Sequence, residues 1–261
     1  MVNRSSLSIY QFFAIVVLSS CILYHLQSSK HIYCNALATN NNNNKSKTYN
    51  YFAFGSNMYT STMINLRGIK PISSTAAVLP KHTLRFNIPG VRFIEPSSAS
   101  VEPINDMSGD DVVHGVLYKL SEEDFATICS TEGVPFAYSL HRCSVIPYQA
   151  DGERAGHTAM QKVLGTDSDD NTDTNNNSEQ SSDMNTFGVS AFTLRAAREE
   201  WRQRKDIPPS QAYLNVLLRG AREFSLDEDY IQKLNSVKVG KTLVGNGLAE
   251  DLLRVAEQRN G

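Results

Sequence analysis

Basic stretches are what this sequence most plainly lacks. Its 25 Lys and Arg are interspersed with 27 Asp and Glu, for a net charge of −2, and they form no block or stripe. That argues against a nucleic-acid partner or a charge-driven membrane surface. The six histidines are scattered without HxH or HExxH spacing, and the four cysteines form no CxxC pair, so no metal centre is indicated. GxGxxG, P-loop and GxSxG patterns are absent, which removes the signatures of dinucleotide binding, of a phosphate-cradling NTPase loop and of a serine-hydrolase elbow. No cofactor is implied. Two cysteines, Cys21 and Cys34, lie in or beside the N-terminal apolar segment. The other two, Cys129 and Cys143, lie in the body and read as buried thiols, with a single bridge between them open in an oxidising compartment.

What is present is an ordinary globular composition, 261 residues with 41% hydrophobic and 20% charged. Arg4 precedes the apolar run Phe12 to Leu26, and Ala36-Leu37-Ala38 offers small residues for cleavage. Residues 1–38 are therefore expected to be a signal peptide or signal anchor, placing the chain in the secretory pathway or on a membrane, with organelle targeting as the alternative. The run is short of the ~20 apolar residues of a spanning helix, which favours cleavage. Residues 39–48 read as an Asn-rich linker. From about 165 to 185 runs an acidic insert with six acids and no base between Asp167 and Asp183, too polar to offset its ordering entropy. The remainder of 49–261 is about the size of one domain.

Alternation and β-branched content predict strands at Tyr51–Phe54, Ala76–Leu79, His82–Asn87, Val112–Lys119, Ser139–Gln149 and Phe187–Leu194. The acidic insert falls between the last two, where a long hairpin loop is cheap to extend. Helices are predicted from Ser121, with Asp124 completing a capping box, to about Gly133; from Pro209 and Ser210 through Phe224; from Ser225, paired with Glu228; and around Leu248–Ala256. Strands first and helices later give an α+β class.

Two short stretches carry chemistry. In "YFAFGSNM" an apolar strand stops at Gly55-Ser56-Asn57, residues that tolerate a sharp turn whose N–H groups can converge on an anion. An ordinary turn is the plain alternative. In "STEGVPFAY" the carboxyl of Glu132 stands between a helix and a strand, among small and apolar residues, where desolvation suits a proton carrier. A solvated helix-end glutamate is the alternative there.

Together with "PSQAYLNVLLRGAREFSLDEDYIQKL", these blocks resemble the gamma-glutamylcyclotransferase family, in that family's order and over roughly Tyr49 to Leu234. The resemblance implies a small mixed β-barrel with surrounding helices. It also implies a pocket in which the backbone of Phe54, Gly55, Ser56, Asn57 and Met58 holds a γ-glutamyl group, with Glu132 as general acid/base and Tyr138 and Tyr213 lining the walls. Phe54 stands where many members carry Tyr. The implied partner is a small γ-glutamyl peptide. The implied reaction is cyclisation to 5-oxoproline, with glutathione- or γ-glutamylamine-directed sister enzymes and a non-catalytic binding module as alternatives. A homodimer and attachment through the N-terminal segment stay open.

Overall fold

The computed structural model describes residues 47–104, 112–149, 151–164 and 188–242. The N-terminal segment, most of the linker, the acidic insert and the helix expected at Leu248–Ala256 lie outside these residues. Strand β1 spans Thr48–Ala53 and so begins inside the stretch read as linker. A single 3-10 turn, Ser56–Met58, and a π-helical turn, Thr62–Leu66, follow it.

Then come β2 (Ser73–Pro80), β3 (His82–Val91), β4 (Glu95–Pro103) and β5 (Val112–Ser121), and α1 (Glu122–Thr131) leaves β5 directly. Next in order are β6 (Tyr138–Pro147), α2 (Ala155–Leu164), β7 (Val189–Ala196), the short α3 (Glu199–Arg202), α4 (Gln211–Glu223) and α5 (Glu228–Asn235).

Five strands close into a barrel in the order β1-β5-β2-β6-β7, while β3 and β4 form a separate hairpin. β5 pairs antiparallel with β1, from Thr48↔Ser121 to Ala53↔Val116, and with β2 on its other edge. β6 joins β2 at Ala77↔Pro147 and Val78↔Ile146, and its ladder with β7 runs from Tyr138↔Ala196 to Val145↔Val189. The seam is parallel, at Tyr51↔Phe192, and Thr193 Oγ1 reinforces it by donating to Phe52 O at 2.9 Å. Closure leaves the barrel strands without a free edge, which is how short antiparallel strands avoid open pairing.

The barrel strands bury continuous runs rather than alternate positions, because helices and neighbouring strands cover both faces of much of β1, β2 and β5, and Phe52, Ala77, Val78, Val113, Val116 and Leu120 are fully buried. Helix α4 lays Leu214, Leu217, Leu218 and Ala221 against this core. Each large apolar side chain so buried contributes ~1.5–3 kcal/mol.

Three sequence expectations change. The link from β6 to β7 holds a helix, α2, rather than a plain hairpin loop. β4 was not foreseen, because "EPSSASVEP" is made of small polar residues with proline near both ends. The helix expected from Ser225, which takes φ 47°, starts instead after Asp227, whose side chain does not cap it. Cys129 and Cys143 are both buried free thiols. Burial pushes each up to about 12, so they remain protonated.

Candidate active site

Helix α1 presents Glu132 through the way it ends. Ser121 caps its start, the Oγ accepting from the Asp124 N–H at 3.1 Å, and Glu122, Glu123 and Asp124 suit the positive end of the helix. At the other end Gly133 takes φ 69°. Its N–H donates to Ser130 O at 3.3 Å, and the Val134 N–H donates to Cys129 O at 3.0 Å. This pair of bonds is a Schellman closure, in which a left-handed glycine satisfies the last carbonyls. Glu132 is the cap residue inside it. Its backbone is therefore held from both sides.

The glycine turn is built differently from the sequence expectation. Gly55 does not use a positive φ; its φ is −110°. Glycine leaves room there instead, since a Cβ would stand 3.2 Å from the Tyr213 hydroxyl, tighter than ordinary contact. Within the turn, the Met58 N–H donates to Gly55 O at 3.0 Å and the Tyr59 N–H to Ser56 O at 3.2 Å. The N–H groups of Gly55, Ser56 and Asn57 take no backbone acceptor among the described residues. Behind the turn, the Tyr118 hydroxyl donates to Met58 O at 3.2 Å.

Turn and carboxylate meet through the Asn57 side chain, a part of the loop to which backbone reasoning assigned no role. Asn57 Nδ2 donates to Glu132 Oε1 at 2.9 Å and to the Tyr51 hydroxyl oxygen at 2.9 Å. Arg67 joins them: its Nε donates to Asn57 Oδ1 at 2.7 Å, and its Nη2 donates to Glu132 Oε1.

The two predicted tyrosines are brought together by β4. The Tyr138 hydroxyl donates to Ala99 O at 2.8 Å, and the Ala99 N–H donates to the Tyr213 hydroxyl oxygen at 3.2 Å. Tyr51, Tyr138 and Tyr213 are buried, and that burial pushes all three phenols well up. They stay protonated and serve as hydrogen-bonding groups around Glu132. Phe54 is buried where β1 ends, and Ser56 is half-buried at the start of the turn. All the residues singled out in the sequence thus lie in one connected cluster. Missing from that set were Arg67, the Tyr51 hydroxyl and the Ala99 amide. Among the described residues no three His, Cys, Asp or Glu side chains gather as a metal site requires.

Residues 112–234 match the AIG2-like family. The matched stretch includes Glu132, Tyr138 and Tyr213 and leaves the glycine turn outside. The chain is 28% identical over 179 residues to the gamma-glutamyl cyclotransferase gliK of Claviceps purpurea, covering 68% of this chain and 64% of that protein. It is 34% identical over 116 residues to the gamma-glutamyl cyclotransferase verK of Clonostachys rogersoniana, covering 40% of this chain and 64% of that protein. The chain thus spans a little under two thirds of the length of these relatives. A solved gamma-glutamyl cyclotransferase structure superposes with a TM-score of 0.52 at 17% identity, over 81% of this chain and 99% of that one, a likeness of fold. The chain is thus similar over residues 112–234 to the AIG2-like family, and similar in sequence and in barrel fold to proteins named gamma-glutamyl cyclotransferases.

Proposed function

We propose that this chain cyclises the γ-glutamyl group of γ-glutamyl amino acids and peptides to 5-oxoproline. The observation that carries the reading is the contact of Glu132 with Asn57, which seats a carboxylate directly against the turn whose amides can hold the substrate. In such a substrate the α-amine and the γ-carbonyl belong to one molecule, so a five-membered ring closes without a protein nucleophile. Well-oriented intramolecular attack reaches effective molarities of ~10⁵–10⁸ M. What the substrate needs is a base, because its amine is protonated near neutral pH.

Glu132 removes that proton. The amine nitrogen bonds to the γ-carbonyl carbon and gives up its second excess proton to solvent, and the amide C–N bond then breaks. The proton held by Glu132 goes to the departing amine, giving 5-oxoproline and a free amino acid or peptide. Acid–base help of this kind contributes ~10²–10⁴-fold. The N–H groups of Gly55, Ser56 and Asn57 hold the substrate's carboxylate or the developing oxyanion, each well-placed donor being worth ~2.7–4 kcal/mol. Tyr138 and Tyr213, joined through Ala99, wall the substrate in.

The test is 5-oxoproline production from γ-glutamyl-alanine, glutathione and γ-glutamyl-lysine by the purified chain. Turnover is expected with at least one, and Glu132→Gln should lower kcat by ~10²–10⁴-fold. Undiminished turnover in Glu132→Gln removes Glu132 from the chemistry, and no product from any of the three removes the function.

A further inference from the structure

The fold treats the two oxygens of Glu132 unequally. Oε1 accepts from Asn57 Nδ2 at 2.9 Å and from Arg67 Nη2, whereas Oε2 has no hydrogen-bond partner among the described residues. The two donors are themselves tied, Arg67 Nε donating to Asn57 Oδ1 at 2.7 Å. Three side chains form a closed ring, and turning the carboxylate would break both bonds to Oε1 at once. The Arg67 and Glu132 side chains are 13% and 12% exposed, so water competes weakly for these contacts.

We propose that Arg67 is a positioning residue of the reaction: with Asn57 it grips Glu132 by Oε1, leaving Oε2 to take the ammonium proton and return it to the leaving amine. The inference rests on the cyclotransferase reading above. An arginine suits the task because its planar fork presents donors in fixed directions to two acceptors. Its own backbone is held as well. The Arg67 N–H donates to Thr62 O at 3.1 Å, closing the π-helical turn, and Gly68 at φ 69° ends the segment.

The groups facing Glu132 are Tyr51 from β1, Cys129 from its own helix, Tyr138 from β6, Tyr213 from α4, and Arg67. Burial keeps the phenols and the thiol neutral, so Arg67 is the cation among them. Removing its charge disfavours the ionised carboxylate, and the acid limb of kcat/KM moves to higher pH.

The experiment measures kcat, KM, the pH profile of kcat/KM and the thermal melt for wild type, Arg67→Gln and Arg67→Lys. Arg67→Gln is expected to lower kcat by ~10²-fold, the scale of a misplaced catalytic group, with KM little changed and the acid limb moved upward. Arg67→Lys keeps the charge without the fork, so the acid limb returns toward wild type while kcat recovers only in part. Wild-type kcat with an unmoved limb in Arg67→Gln overturns the proposal. So does a loss of kcat that tracks the melting temperature alone. If Arg67→Gln does not fold, full wild-type kcat in Arg67→Lys shows the fork to be dispensable and overturns it too. A wild-type protein that makes no 5-oxoproline is a separate outcome, which removes the cyclotransferase reading itself.

Discussion

The Tyr213 hydroxyl accepts from the Ala99 N–H and lies beside Gly55, so a single oxygen links helix α4, strand β4 and the glycine turn. Tyr213→Phe leaves the Ala99 N–H buried and unpaired, a cost of ~1–3 kcal/mol. In a domain of this size the melting temperature should fall by roughly 2–12 °C. An unchanged melt would show that the Ala99 amide has found another acceptor. Glu132, Tyr138 and Tyr213 were legible because short blocks around them resemble a known family. Arg67 was not, because "INLRGIK" has no helical or strand period and its π-helical turn is not a pattern that sequence periodicity detects. Ala99 serves through its amide, and a backbone group leaves no mark on residue identity.

At the scale of elements, α4 matters as much for where it sits as for the tyrosine it carries. A Cβ on Gly220 would stand 2.7 Å from both Met58 Cβ and Tyr59 N, so the helix rests directly on the back of the turn. Gly220→Ala should push the two apart, costing ~1–3 kcal/mol and lowering kcat along with the melting temperature. Wild-type turnover in that variant would show that the turn tolerates displacement.

Helix α4 itself could be read from Ser210, which caps it by accepting from the Tyr213 N–H at 2.9 Å, and from its apolar stripe. Helix α2 could not. Its first-turn amides, Gly156 and His157, donate at 2.8 Å to the carboxylate of Asp227, about 70 residues away, and no local cap announces it. The same bonds explain why Asp227 begins α5 without capping it. Strand β4 hides for a related reason, its buried hydroxyls being satisfied by distant partners: Ser97 donates to Ile207 O and Ser100 to Asn87 Oδ1, each at 2.7 Å.

On the scale of the whole molecule, buried His114 ties the barrel to the helices. Its Nδ1 lies 3.2 Å from the Tyr148 hydroxyl, its ring stacks on Tyr230 at 4.8 Å, and Asp227 is 4.0 Å away. Burial outweighs the nearby carboxylates and lowers the imidazole from about 6.5 to about 4. Between those values the unfolded chain binds a proton that the folded chain does not, so stability falls as the pH drops through that window. The slope from this group is at most ~1.4 kcal/mol per pH unit. Melting temperatures between pH 7 and 4 should show this decline, and His114→Gln should flatten it; an equal slope in the variant would assign the acid sensitivity to other groups.

The seating of Gly220 on Met58 also has a consequence in time. The helix that backs the glycine turn is made more than 150 residues after it, and β7, which closes the barrel against β1, comes only shortly before that helix. At ~5–20 residues per second the turn waits on the order of ten seconds or more for its support. A nascent chain therefore holds the glycine turn and Glu132 without the helix that backs them until α4 has been made.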